Sequence, residues 1–126
     1  MAGGLTQASF IGNAIDFDGV DDVINVADDA LIRGQSPFTA SAWVRRDDNA
    51  SAGAILAKHG DAGSNDVGWA LKLETTGEIT FTRYGLQASP PQTVGQIADM
   101  DTWHHVAVTV SDVGAGTTAT YTIYLD

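Results

Sequence analysis

Cysteine does not occur among the 126 residues. Disulfides, thiolate metal sites and cysteine nucleophiles are therefore excluded, and the redox compartment is left undetermined. Basic residues are scarce as well: six Lys and Arg stand against sixteen Asp and Glu, a formal net charge of −10. Phosphate binding draws its affinity from clustered cations, so nucleic acid and anionic membrane are disfavoured as partners, while cation binding and neutral ligands are favoured. No apolar run approaches the length of a membrane span. The opening Met1-Ala2-Gly3-Gly4-Leu5-Thr6-Gln7 lacks the basic start and apolar middle of a secretion signal. With Met1 as the natural start, export by that route is not expected. Proline is limited to three residues, and helical periodicity is missing throughout.

What is present is short, alternating and apolar. A hydrophobic fraction of 44% over this length fits one globular domain with a real core. Residues 1–11 read as a flexible lead-in and 12–126 as the domain. Gly12 to Val26, GNAIDFDGVDDVINV, holds two alternating runs, Ala14–Phe17 and Val23–Val26, around the acidic, glycine-bearing loop Asp18-Gly19-Val20-Asp21-Asp22. Phe38–Arg46 is the clearest strand, with Phe38, Ala40, Ala42 and Val44 on one face and Thr39, Ser41, Trp43 and Arg45 on the other. Ala54–Lys58 reads as a short strand. Val67–Glu74 and Glu78–Tyr84 form a hairpin across Thr75-Thr76-Gly77. Leu86–Gln96, with Pro90-Pro91, is a loop or edge segment. Trp103–Ser111 and Thr118–Leu125 flank the glycine-rich turn Asp112–Gly116. Nine such segments without a helix predict an all-β fold, an antiparallel two-sheet β-sandwich or jelly roll.

Three kinds of chemistry can be weighed on these segments. Asp16 and Asp18 share one strand face, and Asp21 and Asp22 follow across a turn. Carboxylates and carbonyls in a bent loop are what a calcium ion requires, although Asp also favours turns simply by capping backbone amides. Asp18 and Asp21 are the first ligands to expect; Asp28-Asp29 and Asp47-Asp48 read as solvated loop charges. His104 and His105 are adjacent in a strand and point to opposite faces, and His59 lies alone in a loop, which argues against zinc. His104 shares parity with Val106, Val108 and Val110, and a hydrogen-bonded, largely buried ring is expected there. Sugar binding would use aromatic platforms beside polar groups. Trp43, Arg45, Tyr84 and Tyr124 sit on the polar-parity side of their strands and are the candidate ligand-binding residues, although both faces of a sandwich strand can be covered, which would make Trp43 structural. Trp69, Tyr121, Phe81, Phe17 and Phe38 carry core parity.

GNAIDFDGVDDVINV, FTASAWVRR, GAILAKHG, WHHVAVTV and TIYLD, in that order, resemble the laminin-G-like branch of the concanavalin A-like lectin/glucanase superfamily. The resemblance runs from Gly12 to Asp126. It implies a concanavalin A-like jelly roll and a non-catalytic module that binds a glycan or protein on a cell or particle surface, often with a structural calcium. Domains of this type continue for several strands beyond the TIYLD segment. The expectation is therefore that the remaining strands are absent or supplied by another chain, giving a homo-oligomer or a strand-complemented assembly. An alternative is a phage virion or capsid decoration subunit that makes protein contacts without binding sugar. The implied location is extracellular or on a virion surface. Glucanase relatives carry a Glu-x-Asp-x-x-Glu strand. Here only Glu74 and Glu78 approach that spacing, with no Asp between them, so a glycan hydrolase is the third reading and catalytic residues are not expected.

Overall fold

The computed structural model describes residues 7–9, 12–32, 37–48, 52–58, 68–84, 89–111 and 120–126. Among these, nine strands follow one another: β1 (Gln7–Ser9), β2 (Gly12–Ala14), β3 (Phe38–Val44), β4 (Gly53–Lys58), β5 (Gly68–Leu73), β6 (Glu78–Tyr84), β7 (Ser89–Gln96), β8 (His104–Ser111) and β9 (Thr120–Leu125). One 3₁₀ turn, Ala30–Ile32, interrupts the long β2–β3 connection. A three-stranded sheet, β3-β8-β9, lies against a four-stranded sheet, β4-β5-β6-β7, and β1 and β2 form a separate small ladder. Every pairing is antiparallel.

Side-chain parity decides which face of each sheet is buried. On β3, residues alternate between half-buried and exposed from Phe38 to Val44. Their partners on β8 place Val106, Val108 and Val110 opposite Ala42, Ala40 and Phe38. From the other sheet come Trp69 and Leu71 on β5 and Ile79 and Phe81 on β6; with Ile97 and Ile123 these make one core. Phe81 is its centre, with ring centroids 5.0 Å from Tyr121 and 6.5 Å from Phe38 across the sandwich and 6.3 Å from Trp69 along its own sheet. The Trp69 indole nitrogen donates to the Ile32 carbonyl at 2.9 Å and so satisfies the one polar atom of a buried ring. Arg83 shares the core face, opposite Trp69. It is 6% exposed, and burial lowers its pKa from the ordinary arginine value.

The β5–β6 hairpin turns at Thr75-Thr76-Gly77 as its sequence requires. The Gly77 amide donates to the Glu74 carbonyl at 2.8 Å, with Gly77 at φ +88°, a backbone state open to glycine at little cost. The proline-bearing segment becomes β7, at the edge of its sheet, where a missing amide on the outward side removes no ladder bond. Register shifts along the β6–β7 pairing accompany it.

The opening stretch departs from its pattern. Strand structure stops at Ala14, so the expected strands Ala14–Phe17 and Val23–Val26 do not form, and 15–29 runs without a ladder. Phe17, expected in the core, is 50% exposed, with Val23 at 69% and Val26 at 78%. Alternation marks a segment able to form a strand, but a strand also needs a neighbour to take its amides. No described strand pairs with residues 15–29. Gln7–Ser9, within the lead-in, instead pairs with Gly12–Ala14. His59 and the Asp112–Gly116 turn lie outside the described residues.

Candidate functional site

The acidic loop is built by its own carboxylates. Asp18 Oδ1 accepts the amides of Val20 at 2.8 Å and Asp21 at 3.3 Å, while the Asp18 amide donates to Asp22 Oδ2 at 3.1 Å. Gly19, at φ +72°, permits the reversal. The Val20 amide first, then that of Asp21, holds the Asp18 carboxyl below the usual carboxylate range. Ligand oxygens of Asp18, Asp21 and Asp22 lie within 4.8 Å of one another. This donor set fits a hard cation, because Asp18 and Asp22 each keep a second oxygen beyond the one that caps the turn and Asp21 adds a third carboxylate. Asp16 stands outside the group and lines the cleft beside it.

The outer face of the three-stranded sheet brings together two of the four ligand-binding candidates. Trp43 is opposite His105, with ring centroids 5.3 Å apart. One step along the ladder, Ala107 separates Ser41 from Tyr124. Trp43 and Tyr124 thus stand diagonally, on strands roughly 10 Å apart, and are 43% and 51% exposed. The rest of this face is Thr39, Ser41, Thr109, Ser111, Thr120 and Thr122. Among the described residues, no Asp, Glu, Lys or Arg lies within β3, β8 or β9 on this face, in a chain of net charge −10; Arg45 follows at the end of β3.

The other two candidates lie elsewhere. Tyr84 pairs with Gly68 on the outer face of the opposite sheet. Arg45, just past β3, carries its guanidinium 5.9 Å over the Trp103 ring. That pair lines a cleft with Asp16, Phe17 and Asp47. A second cleft adjoins it, bounded by Asp16, Asp18, Asp47, Asp48, Leu73 and Arg46.

Glu74 and Glu78 serve the hairpin between them. Thr80 donates its hydroxyl to Glu74 Oε1 at 2.9 Å, and Thr76 donates to Glu78 Oε2 at 3.0 Å. The Asp pairs have local roles as well: Asp28 bridges Lys58 at 2.8 Å, and Asp29 caps the Leu31 amide at 2.8 Å.

Two polar constellations escape single-residue reading. Arg46 is 7% exposed and donates Nε to Asp48 O at 2.8 Å, Nη1 to Ile97 O at 3.2 Å and Nη2 to Thr75 O at 3.3 Å. Its signal was in the pattern: Arg46 continues the core parity of Phe38 through Val44. His104, hydrogen-bonded as its parity suggested, holds Asp126 and Asp99, residues 22 and 5 positions away. Only folding brings those two carboxylates to one ring.

No described helix is long and apolar enough to cross a membrane. Comparison with curated proteins and with solved structures returned no match. The family model described as the concanavalin A-like lectin/glucanases superfamily, of laminin-G type, matches residues 18–126. Two facing antiparallel sheets agree with it, and the chain belongs to the concanavalin A-like lectin/glucanases superfamily.

Proposed function

We propose that this domain is a non-catalytic binding module that recognises a neutral glycan on a cell or particle surface through the outer face of β3-β8-β9. The observation that carries the reading is a pair of half-exposed aromatics, Trp43 and Tyr124, on a hydroxyl-rich face whose described strand residues include no Asp, Glu, Lys or Arg. Aromatic rings stack on the C–H faces of sugars while Ser and Thr hydroxyls exchange hydrogen bonds with theirs. A glycan array followed by calorimetry on the best hit tests it. Trp43→Ala should weaken binding by about 2 kcal/mol, roughly thirtyfold in Kd, and Tyr124→Ala by less. Tyr84→Ala, on the far face, should leave it unchanged. An array with no hit, or equal losses from Tyr84→Ala and Trp43→Ala, overturns this face as the site.

The acidic loop supplies a structural calcium in this reading, held by Asp18, Asp21 and Asp22. An ion bound only by the folded state raises the melting midpoint by mass action, about 2.7 kcal/mol at a hundredfold excess over Kd. Addition of calcium should therefore raise the midpoint and a chelator should reverse it. Asp18→Asn keeps the turn-capping oxygen and should abolish the response; a wild-type midpoint indifferent to calcium removes the ion.

A second reading is favoured by Phe17, Val20, Val23, Ile24 and Val26, all at least half exposed on one segment. Contiguous exposed apolar residues mark protein contacts. They suit a subunit of an oligomer, a strand-complemented assembly or a virion decoration layer. Sedimentation showing a defined oligomer that Val23→Lys dissociates, together with an array free of hits, would favour assembly over glycan recognition.

A further inference from the structure

We propose that His104 is a proton-dependent latch: its imidazolium ties Asp126, at the end of β9, to Asp99 in the β7–β8 connection, and loss of the ring proton opens one of these ties. His104 Nδ1 lies 2.6 Å from Asp126 Oδ2, and Nε2 lies 3.0 Å from Asp99 Oδ1. An ionised carboxylate only accepts, so both ring nitrogens must donate, and a neutral imidazole has a single N–H. With the ring neutral, one contact sets a lone pair against a carboxylate oxygen and must lengthen or take up water.

The surroundings reinforce the charged form. Asp126 faces the ring from β9 and also accepts the His105 amide at 3.0 Å through Oδ1, so it cannot swing away without breaking a second bond. The β7–β8 connection contributes Asp99 and, nearby, Asp101. On β3 the cross-strand partner of His104 is Val44, followed by Arg45 and Arg46. The His104 side chain is 13% exposed. Its pKa is raised, first by the hydrogen bond to Asp126 and further by the charges of Asp126 and Asp99, against the opposing pull of burial. Asp126 is lowered in turn, chiefly by His104. Asp99 is lowered chiefly by Thr102, with His104 adding to it.

The sign follows from linkage. Because the folded pKa is raised, the stabilisation is fully present below the unfolded value of about 6.5 and is lost as pH rises through the folded value. Opening is felt beyond the ring, since the same connection is gripped by Arg46. Its Nη1 takes Ile97 O at 3.2 Å, and its own carbonyl accepts the Asp101 amide at 2.8 Å. The latch therefore lies between the end of an edge strand and the loop beside the Arg46 cleft.

Imidazole nitrogen NMR of the whole chain from pH 5 to 9, with amide hydrogen exchange across residues 99–102, tests the proposal. Both His104 nitrogens should carry protons below the midpoint, and the ring should titrate above about 6.5. Exchange at 99–102, corrected for base catalysis, should rise in a step at the same midpoint. Asp126→Asn should lower the midpoint and move the step with it; Asp99→Asn should do the same to a smaller extent and serves alone if the first variant does not fold. A wild-type midpoint at or below about 6.5, or exchange with no step at the midpoint, overturns the latch.

Discussion

Replacing Phe81 with alanine is expected to destabilise the domain by about 3–5 kcal/mol, the range for deleting a fully buried aromatic ring. Phe81 has 0% exposure. Its ring meets Tyr121 edge-on at 5.0 Å, with Trp69 and Phe38 within 6.5 Å. The neighbours come from both sheets and cannot all move in to fill the space, because each is fixed by its own ladder. Tyr121 is on β9 and Phe38 on β3, while Trp69 is held further by its bond to Ile32 O. The cavity would stay largely open, which places the cost toward the upper end of the range. A domain of this size has a total stability of roughly 5–15 kcal/mol, so the variant should melt far earlier in urea at an unchanged slope. Phe81→Leu, which keeps most of the volume, should recover a large share of the loss. A loss under about 1 kcal/mol for Phe81→Ala would mean that the sheets do not close over this ring.

The parts of the fold legible in the sequence are those where parity and a local partner coincide. β3 alternates from end to end, β8 carries Val106, Val108 and Val110 at one parity, and each contributes that apolar face to the same layer. The β5–β6 hairpin is fixed by a three-residue turn whose glycine sits where a positive φ is needed. Residues 15–26 carry an equally clear alternation and form no ladder. Alternation reports which residues could face a core; it does not say whether a neighbouring edge is present. The candidate site was legible in the same uneven way. Trp43 and Tyr124 share a face because their strands both pair with β8, whereas Tyr84, chosen by the same parity rule, lies on the other sheet. Parity assigns a face within one strand, and the sheet to which the strand belongs is a long-range fact. For Asp18, Asp21 and Asp22, proximity followed from four residues of chain around a glycine. Asp126 reaches His104 only through the pairing of β8 with β9, while Asp99, five residues before the ring, is brought to it by the β7–β8 connection.

Gly77→Ala should be the other severe substitution, at about 3 kcal/mol or more, because backbone strain and a steric clash fall on one atom. At φ +88° an alanine is strained whatever space surrounds it. Here the added Cβ would also lie 2.3 Å from the Ile97 carbonyl oxygen and 2.5 Å from Arg46 Nη1. Neither neighbour can withdraw freely. The Ile97 amide is bound to Gly77 O at 2.9 Å, and Arg46 is the buried fork that holds Ile97 O, Thr75 O and Asp48 O together. Arg46→Met tests that fork without removing the stem. It relieves the desolvation of a buried cation but leaves three carbonyls to find other donors. Those of Asp48 and Thr75 belong to exposed residues and can turn to water, whereas Ile97 is 1% exposed, so the net loss should be about 2–3 kcal/mol. Arg46→Lys should lose nearly as much, because a single ammonium cannot span three acceptors in different directions. In the Gly77→Ala, Arg46→Met double variant, one of the two clashes disappears with the guanidinium. Its urea-derived loss should therefore fall short of the sum of the single losses by about 1 kcal/mol. Full additivity would show that glycine is required at 77 only for its backbone angle, and that the approach of Arg46 to the turn contributes nothing.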